Sequence, residues 1–480
     1  MRLRIGEALG KAAREEPALG EQLMALPRAS ISTLHRFCGN LLRENFQALG
    51  IDPGFRIGDE QECGVLSRQA MEDAIYSCYE VGSDAFLAAD RCYAQEELGE
   101  LAFSLYRFMM TRPDPWAFLE RAQKDVRIDG QTLEVSPAAE LLAQSARKRL
   151  LKLAEAARRT LEICLGENGP AHYAAACETD VHLAEDLAKQ AEMGYTALHI
   201  ATHNLSFAAL GRKKKSDIFD ETLADSVKAR RDAFKKAIGD VQTAFALNPD
   251  DAAADIEMTA APLDGLAELV KTYDTLYAAA KKQRGLLDFN DLEHGALKAL
   301  ALPDVRDALN KRYRYVFIDE YQDTNPIQEA LLSRVSREGN RFMVGDIKQS
   351  IYRFRLADPL IFLKKAREFE GEQPDRKVIR MNENFRSAPG VVAAVNAVME
   401  RLMSREMGEI DYDEKERLLA MRPEGGECEI LLTDADEEAA EGEAEADAAT
   451  KEAHTLARRV LELTGTPLAD GRPAEYGDIC

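Results

Sequence analysis

Apolar residues recur along this chain with two periods. In residues 1–60, Ile5 and Leu9, then Leu19, Leu23 and Leu26, keep the three-to-four spacing of a helix face. Phe37, Leu41, Leu42 and Phe46 repeat it after the short segment 28–32. Ser32 or Thr33 is placed to cap that second helix, and Ile51-Asp52-Pro53-Gly54 turns the chain out of it. Residues 61–284 hold the helical period almost throughout, rich in Ala, Leu, Glu, Lys and Arg, with long amphipathic helices expected at 140–165 and 263–283. At residue 285 the pattern changes. Tyr315-Val316-Phe317-Ile318 and Arg341-Phe342-Met343-Val344 are short apolar runs that end in Asp319-Glu320 and Gly345-Asp346, with helical stretches between and after them. Strands that alternate with helices predict an α/β fold with a parallel sheet, whose ligands bind beyond the carboxyl ends of the strands. From residue 371 a further α/β unit is expected: strands at 377–381 and 428–432, helices at 389–403 and 453–463, a solvated acidic loop at 434–447, and a strand beginning at 476–480.

Composition narrows the classes. The chain has 480 residues, 46% of them apolar, enough for two or three domains of roughly 100–200 residues. With 62 basic and 84 acidic residues the formal charge is −22, which excludes a polybasic DNA coat but leaves room for a local cationic groove. Residues 341–386 supply one, with eleven basic residues against seven acidic. No uncharged apolar run approaches the roughly 18 residues of a membrane span, and the N-terminus carries no signal-peptide stretch, so a soluble, cytoplasmic chain is expected. Eight cysteines without a CxxC pair predict reduced thiols. His35 and Cys38, one turn apart, with Cys63 beyond, raise a zinc site, which lacks a visible fourth ligand and is not claimed.

Four segments carry candidate chemistry. Val316-Phe317-Ile318-Asp319-Glu320 delivers adjacent carboxylates to a strand end, where one can hold a nucleotide's Mg²⁺ and the other orient an attacking water; the bland alternative is a solvated strand end. In Val344-Gly345-Asp346-Ile347-Lys348-Gln349-Ser350-Ile351-Tyr352-Arg353-Phe354-Arg355, Gln349 can sense a γ-phosphate, and Tyr352 and Phe354 alternate with Arg353 and Arg355. Aromatics that stack bases beside arginines that hold phosphates suit single-strand binding; aromatic core with a solvated basic helix fits the same residues. Arg386, in Asn382-Glu383-Asn384-Phe385-Arg386-Ser387, can reach a γ-phosphate as an arginine finger or simply form a surface ion pair. Ser32-Thr33-Leu34-His35 opens a helix with hydroxyls and free N–H groups suited to a DNA phosphate or to capping alone.

Together, ISTLHRFC, DFNDLEHGAL, VFIDEYQDTN, FMVGDIKQSIYRFR and NENFRS, in that order, resemble superfamily-1 DNA helicases of the UvrD/Rep type. The longer strings IDPGFRIGDEQE, RGLLDFNDLEHGAL and MVGDIKQSIYRFRLADPLIFLKK are most similar to the A-type chain of bacterial helicase–nucleases. That resemblance implies RecA-like P-loop NTPase motor lobes built on a parallel, here incomplete, sheet with a large all-helical insertion. Residues 1–60 would be the first part of lobe 1A, 61–284 the insertion 1B, 285–370 the remainder of 1A, and 371–480 the start of lobe 2A. It also implies roles: Asp319 as the Mg²⁺ ligand, Glu320 as catalytic base, Gln349 linking ATP state to movement, Arg386 as arginine finger, all four in the ATP site, and Thr33, His35, Tyr352, Phe354 and Arg355 along the single-stranded DNA path. The implied activity is ATP- and Mg²⁺-dependent 3′→5′ translocation and duplex unwinding in double-strand break repair and recombination. The implied heterodimer partner is a B-type helicase–nuclease subunit. No GxxxxGK[ST] loop occurs, and Gly211-Arg212-Lys213-Lys214-Lys215-Ser216 lacks its spacing. The expectation is therefore a piece cut at both ends, lacking the phosphate loop and the nuclease, with negligible ATPase activity of its own. Two other readings stay open: a catalytically silent DNA-binding or assembly module, and a stand-alone repair helicase without nuclease.

Overall fold

Several helices of this chain start where a side chain takes one of the first free N–H groups. Thr33, not Ser32, caps the Leu34–Glu44 helix, its Oγ1 accepting from the Arg36 N–H at 3.4 Å. Ser136 caps Pro137–Leu165, and Asp288 and Asp291 cap the Phe289–Ala301 helix reciprocally. The computed structural model describes residues 2–203, 205–214, 218–371, 375–433, 447–468 and 471–479. They divide into two units, Met1–Leu363 and Lys364–Cys480. Among the described residues no helix is long and apolar enough to cross a membrane.

The first unit is mostly helical and has three main cores. One joins Glu60–Val81, Asp84–Cys92, Gln95–Met110 and Pro115–Asp125 to Ala260–Gln283, centred on Tyr273, whose ring meets Tyr106 and Phe103 edge-on. A second joins Pro137–Leu165, Ala174–Met193, Tyr195–His203, Glu221–Ala244 and Pro249–Glu257. Its longest helix buries Ala139, Ala143, Ala146, Ala154 and Ala157, small residues at helical spacing, together with the larger Leu150. The block expected over 61–284 thus holds two separate cores. Gly211–Lys214 lies on a loop within this block, between the Tyr195–His203 and Glu221–Ala244 helices, and residues 215–217 of that basic string fall outside the described ones. The third core packs Leu34–Glu44 against Phe289–Ala301, Pro303–Arg312 and Pro326–Val335.

Strands are few and parallel. β1 (Arg56–Ile57) pairs with β2 (Leu286–Leu287), so the helical block leaves and returns through neighbouring strands. β3 (Val316–Ile318) pairs with β4 (Arg341–Met343), Phe317 opposite Phe342. In the second unit β5 (Glu383–Asn384) pairs with β6 (Leu419–Ala420). Where one parallel sheet was expected, the described residues form three two-stranded ones. The runs at 377–381 and 428–432 make no ladder, and Ile379, Met381, Ile430 and Leu432 stand exposed. Alternating apolar residues favour a strand but need a neighbour to bond with. Residues 476–478 form a 3₁₀ turn rather than a strand start, and Cys480 lies outside the described residues. So does the acidic loop expected at 434–447, apart from Asp447, which caps the Ala448–Leu463 helix.

Candidate functional site

The acidic strand end is built by β3 and β4. Their ladder runs on past both strands: Val344 donates to Ile318 O at 2.8 Å and Tyr321 to Val344 O at 2.9 Å. This holds Asp319-Glu320 beside Gly345-Asp346. Glu320 adopts a left-handed backbone, φ 52° and ψ 41°, which turns the strand into the 3₁₀ turn Tyr321–Asp323. The carboxylates of Asp319 and Glu320 are both exposed, and Asp319 Oδ1 accepts only the adjacent Glu320 N–H, at 3.1 Å, among the described residues.

Gln322 ties the two strand ends together. It is 1% exposed; its Nε2 donates to Glu320 Oε2 at 2.8 Å, and its Oε1 accepts the Asp346 N–H at 3.0 Å. Gly345 leaves room for this bridge, since a Cβ there would stand 2.4 Å from Gln322 Oε1. Asp323 adds a third carboxylate, with a buried Oδ1 that has no hydrogen-bond partner among the described residues. Burial first, then the Glu320 charge, raise its pKa, and the Gln322 amide opposes them. Asp346 moves the other way: burial disfavours its charge, but hydrogen bonds from Lys348 and Gln349 and the Lys348 ammonium outweigh it and lower its pKa. The Gln349 amide donates to Asp346 Oδ2 at 3.0 Å, on the exposed side. Among the described residues no three carboxylate, histidine or cysteine side chains stand close enough together to hold a metal ion, so a hard cation of the Mg²⁺ type would meet at most one or two of these carboxylates, with water and phosphate oxygens as its other ligands.

Directly after it, Arg353–Arg355 forms a 3₁₀ turn that Leu356 closes at φ 64°. Tyr352 and Phe354 lie exposed with ring centroids 5.9 Å apart, and the Arg355 guanidinium sits over both, 5.1 and 5.5 Å from the centroids. An aromatic pair crossed by a cation is a stacking platform for unpaired bases.

Thr33 and His35 lie elsewhere in the same unit. Thr33 is exposed and spends its hydroxyl oxygen on capping. His35 Nε2 stands 3.1 Å from Glu293 Oε1, which also accepts from Gln328 Nε2 at 2.8 Å. Gln328 lies on the Pro326–Val335 helix, which begins three residues after Asp323. One turn along from His35, the buried Cys38 thiol is pushed up to about 12 by burial and by the Glu293 charge. Arg386 belongs to the second unit and follows β5. Asn384 Oδ1 accepts its N–H at 3.0 Å, and its guanidinium is exposed with no partner among the described residues.

Asp319, Glu320 and Gln349 thus come together through Gln322 and Asp346, with Tyr352, Phe354 and Arg355 next along the chain. Gln322, Asp323 and Glu293 lie against these residues but were given no role from the sequence, although Gln322 and Asp323 are part of the string VFIDEYQDTN and Glu293 of DFNDLEHGAL.

Exposed carboxylates at a strand end, followed by an exposed ring pair with a cation over it, are compatible with a nucleotide-driven nucleic-acid motor. The chain belongs to the UvrD/REP helicase family, whose N-terminal domain matches residues 1–370. It is 36% identical to the A-type chain of the ATP-dependent helicase/nuclease of Syntrophomonas wolfei over 87% of this chain and 34% of that protein. It is 35% identical to the protein of the same name from Geobacillus kaustophilus over 100% of this chain and 42% of that protein, and 33% identical to that of Alkaliphilus oremlandii over 97% and 40%. The chain therefore spans about two fifths of the length of these relatives.

Proposed function

We propose that these residues belong to an ATP-dependent 3′→5′ DNA helicase–nuclease chain that moves along single-stranded DNA and unwinds duplex during break repair and recombination, paired with a B-type subunit. In this reading 1–60 and 285–370 form RecA-like lobe 1A, 61–284 its helical insertion 1B, and 371–480 begin lobe 2A. The β1–β2 pairing, which brings residues 56–57 beside 286–287, supports those boundaries. The observation that carries the reading is the Gln322 bridge, which sets Glu320 beside the β4 end in a chain of this family.

The roles are those the resemblance implies, and the geometry is compatible with them. Asp319, exposed and nearly unpartnered, is the Mg²⁺ ligand, with Asp323 close enough in sequence to support it. Bound Mg²⁺ would neutralise charge on the phosphate oxygens of ATP. Glu320, held by Gln322, orients the attacking water as general base. Gln349 exchanges its Asp346 contact for a γ-phosphate, and Arg386 offers its free guanidinium to the charge that builds in phosphoryl transfer. Tyr352, Phe354 and Arg355 stack and hold the strand, with Thr33 and His35 further along its path.

The 480 residues contain no GxxxxGK[ST] string, and its backbone N–H groups and lysine are what cradle the β- and γ-phosphates. We therefore expect this chain to bind oligothymidylate yet hydrolyse ATP negligibly. Steady-state phosphate release with and without oligothymidylate tests this. DNA-stimulated turnover of about 1 s⁻¹ or more, abolished by Glu320→Gln, would overturn the second expectation and place a complete ATP site within these residues.

A further inference from the structure

His35 has its hydrogen bonding fixed from the protein side. Glu293 is 4% exposed, and one of its oxygens takes both the His35 Nε2 contact and the Gln328 amide. With Glu293 accepting both contacts, the ring N–H that meets it is the one on Nε2. Phe289 stacks on the ring, centroids 4.3 Å apart and planes 27° apart. A neutral imidazole has a single N–H. With that N–H turned to Glu293, Nδ1 is a bare lone pair, and it has no partner among the described residues.

A phosphodiester is also an acceptor, and two acceptors do not bond. Building on the placement of His35 along the single-strand path, we infer that His35 holds a DNA phosphodiester only as the imidazolium, so that strand engagement takes up one proton. Nδ1 gains the proton and donates it to a phosphate oxygen, while Nε2–H keeps Glu293. The cation then lies between two anions, each joined to it by a charge-assisted hydrogen bond. Glu293 is a positioning residue: it sets the tautomer and supplies the inner counter-charge. The other groups about the ring leave this balance intact. The Phe289–Ala301 helix presents Phe289 and Glu293, the Pro326–Val335 helix the neutral Gln328, and the helix of His35 itself the Cys38 thiol and the exposed Arg36.

The test is fluorescence anisotropy of labelled oligothymidylate with the 480-residue chain, from about pH 5 to 8 at constant ionic strength. Affinity is expected to rise as pH falls, by at most about tenfold per pH unit, the limit for one coupled proton. His35→Gln retains a donor toward Glu293 but does not titrate, and should flatten this dependence. Glu293→Gln removes the counter-charge and should weaken binding at the acid end by roughly tenfold. Nitrogen chemical shifts of His35 in the unbound chain at the alkaline end should show hydrogen on Nε2, a readout that needs no variant to fold. Hydrogen on Nδ1 would overturn the inference. So would a pH dependence unchanged in His35→Gln, or affinity that falls on acidification, which marks Nδ1 as acceptor of a base N–H; both leave single-strand binding standing. Folded chain that binds no oligothymidylate at any pH would overturn the single-strand path itself, and this inference with it.

Discussion

Glu320 occupies a backbone region that costs a residue with a Cβ roughly 1–2 kcal/mol. The bend is held by its surroundings: Tyr321 N–H bonds across to Val344, and Gln322 reaches back to the Glu320 carboxylate. Strain of this kind persists where the neighbouring structure over-determines it. Removing the Cβ should relieve it. Glu320→Gly is expected to be more stable than Glu320→Ala by about 1 kcal/mol in urea unfolding, although both lack the carboxylate. Equal midpoints would mean that the turn is relaxed. At this scale the sequence was informative for side chains whose chemistry is local. Asp319 and Glu320 follow an apolar strand, and Tyr352 to Arg355 alternate ring and cation. It assigned no role to Gln322, though the residue lies in VFIDEYQDTN, or to Glu293, because a polar residue among acids reads as surface until its contact is known. For Glu293 that contact lies 258 residues away in the chain.

Between elements, the clearest joint is where the Ala260–Gln283 helix ends and the Phe289–Ala301 helix begins. Lys281 Nζ is buried there, 2.7 Å from Asp288 Oδ2 and 2.6 Å from Asp291 Oδ2, under the Tyr277 ring. Burial, and then the neighbouring Asp288 charge, push Asp291 up to about 6, with Lys281 opposing. Asp288 is lowered, because the Lys281 charge and hydrogen bond outweigh its burial. A carboxyl raised on folding binds its proton more tightly in the native state, so its contribution is full below the unfolded value near pH 4 and is lost as pH rises through about 6. Between pH 4 and 7 the wild-type chain should therefore lose about 2 kcal/mol relative to Asp291→Asn in urea unfolding. Parallel pH curves would show that Asp291 does not titrate there. Helices were the legible elements: the expected 140–165 and 263–283 appear as Pro137–Leu165 and Ala260–Gln283. A helix satisfies its own backbone, so its period suffices to announce it. A strand depends on a partner, and the apolar runs at 377–381 and 428–432 lacked one among the described residues.

At the scale of the molecule, the helical block carries two cores, one centred on Tyr273 and one on the alanine face of the Pro137–Leu165 helix. Its period showed which face of each helix is apolar but not which helices share a core, because that pairing depends on how the connections fold back. The two cores should respond separately. Leu150→Ala, at a fully buried position of the second core, removes about 2–5 kcal/mol of packing. Hydrogen exchange is expected to quicken across the helices of residues 137–257 and stay unchanged in those of 60–125 and 260–283. Uniform quickening would make the block one cooperative body. Its attachment through β1 and β2 has a further consequence for anyone wishing to remove or transplant it. Both ends meet side by side, so a graft asks nothing of the distance between them. Yet the two strands run in the same direction, and parallel neighbours need a crossover of roughly a dozen residues or more where an antiparallel pair needs two. The smallest viable replacement is therefore another folded module with its termini close together, or a helix and its two loops, and a tight turn would reverse the second strand.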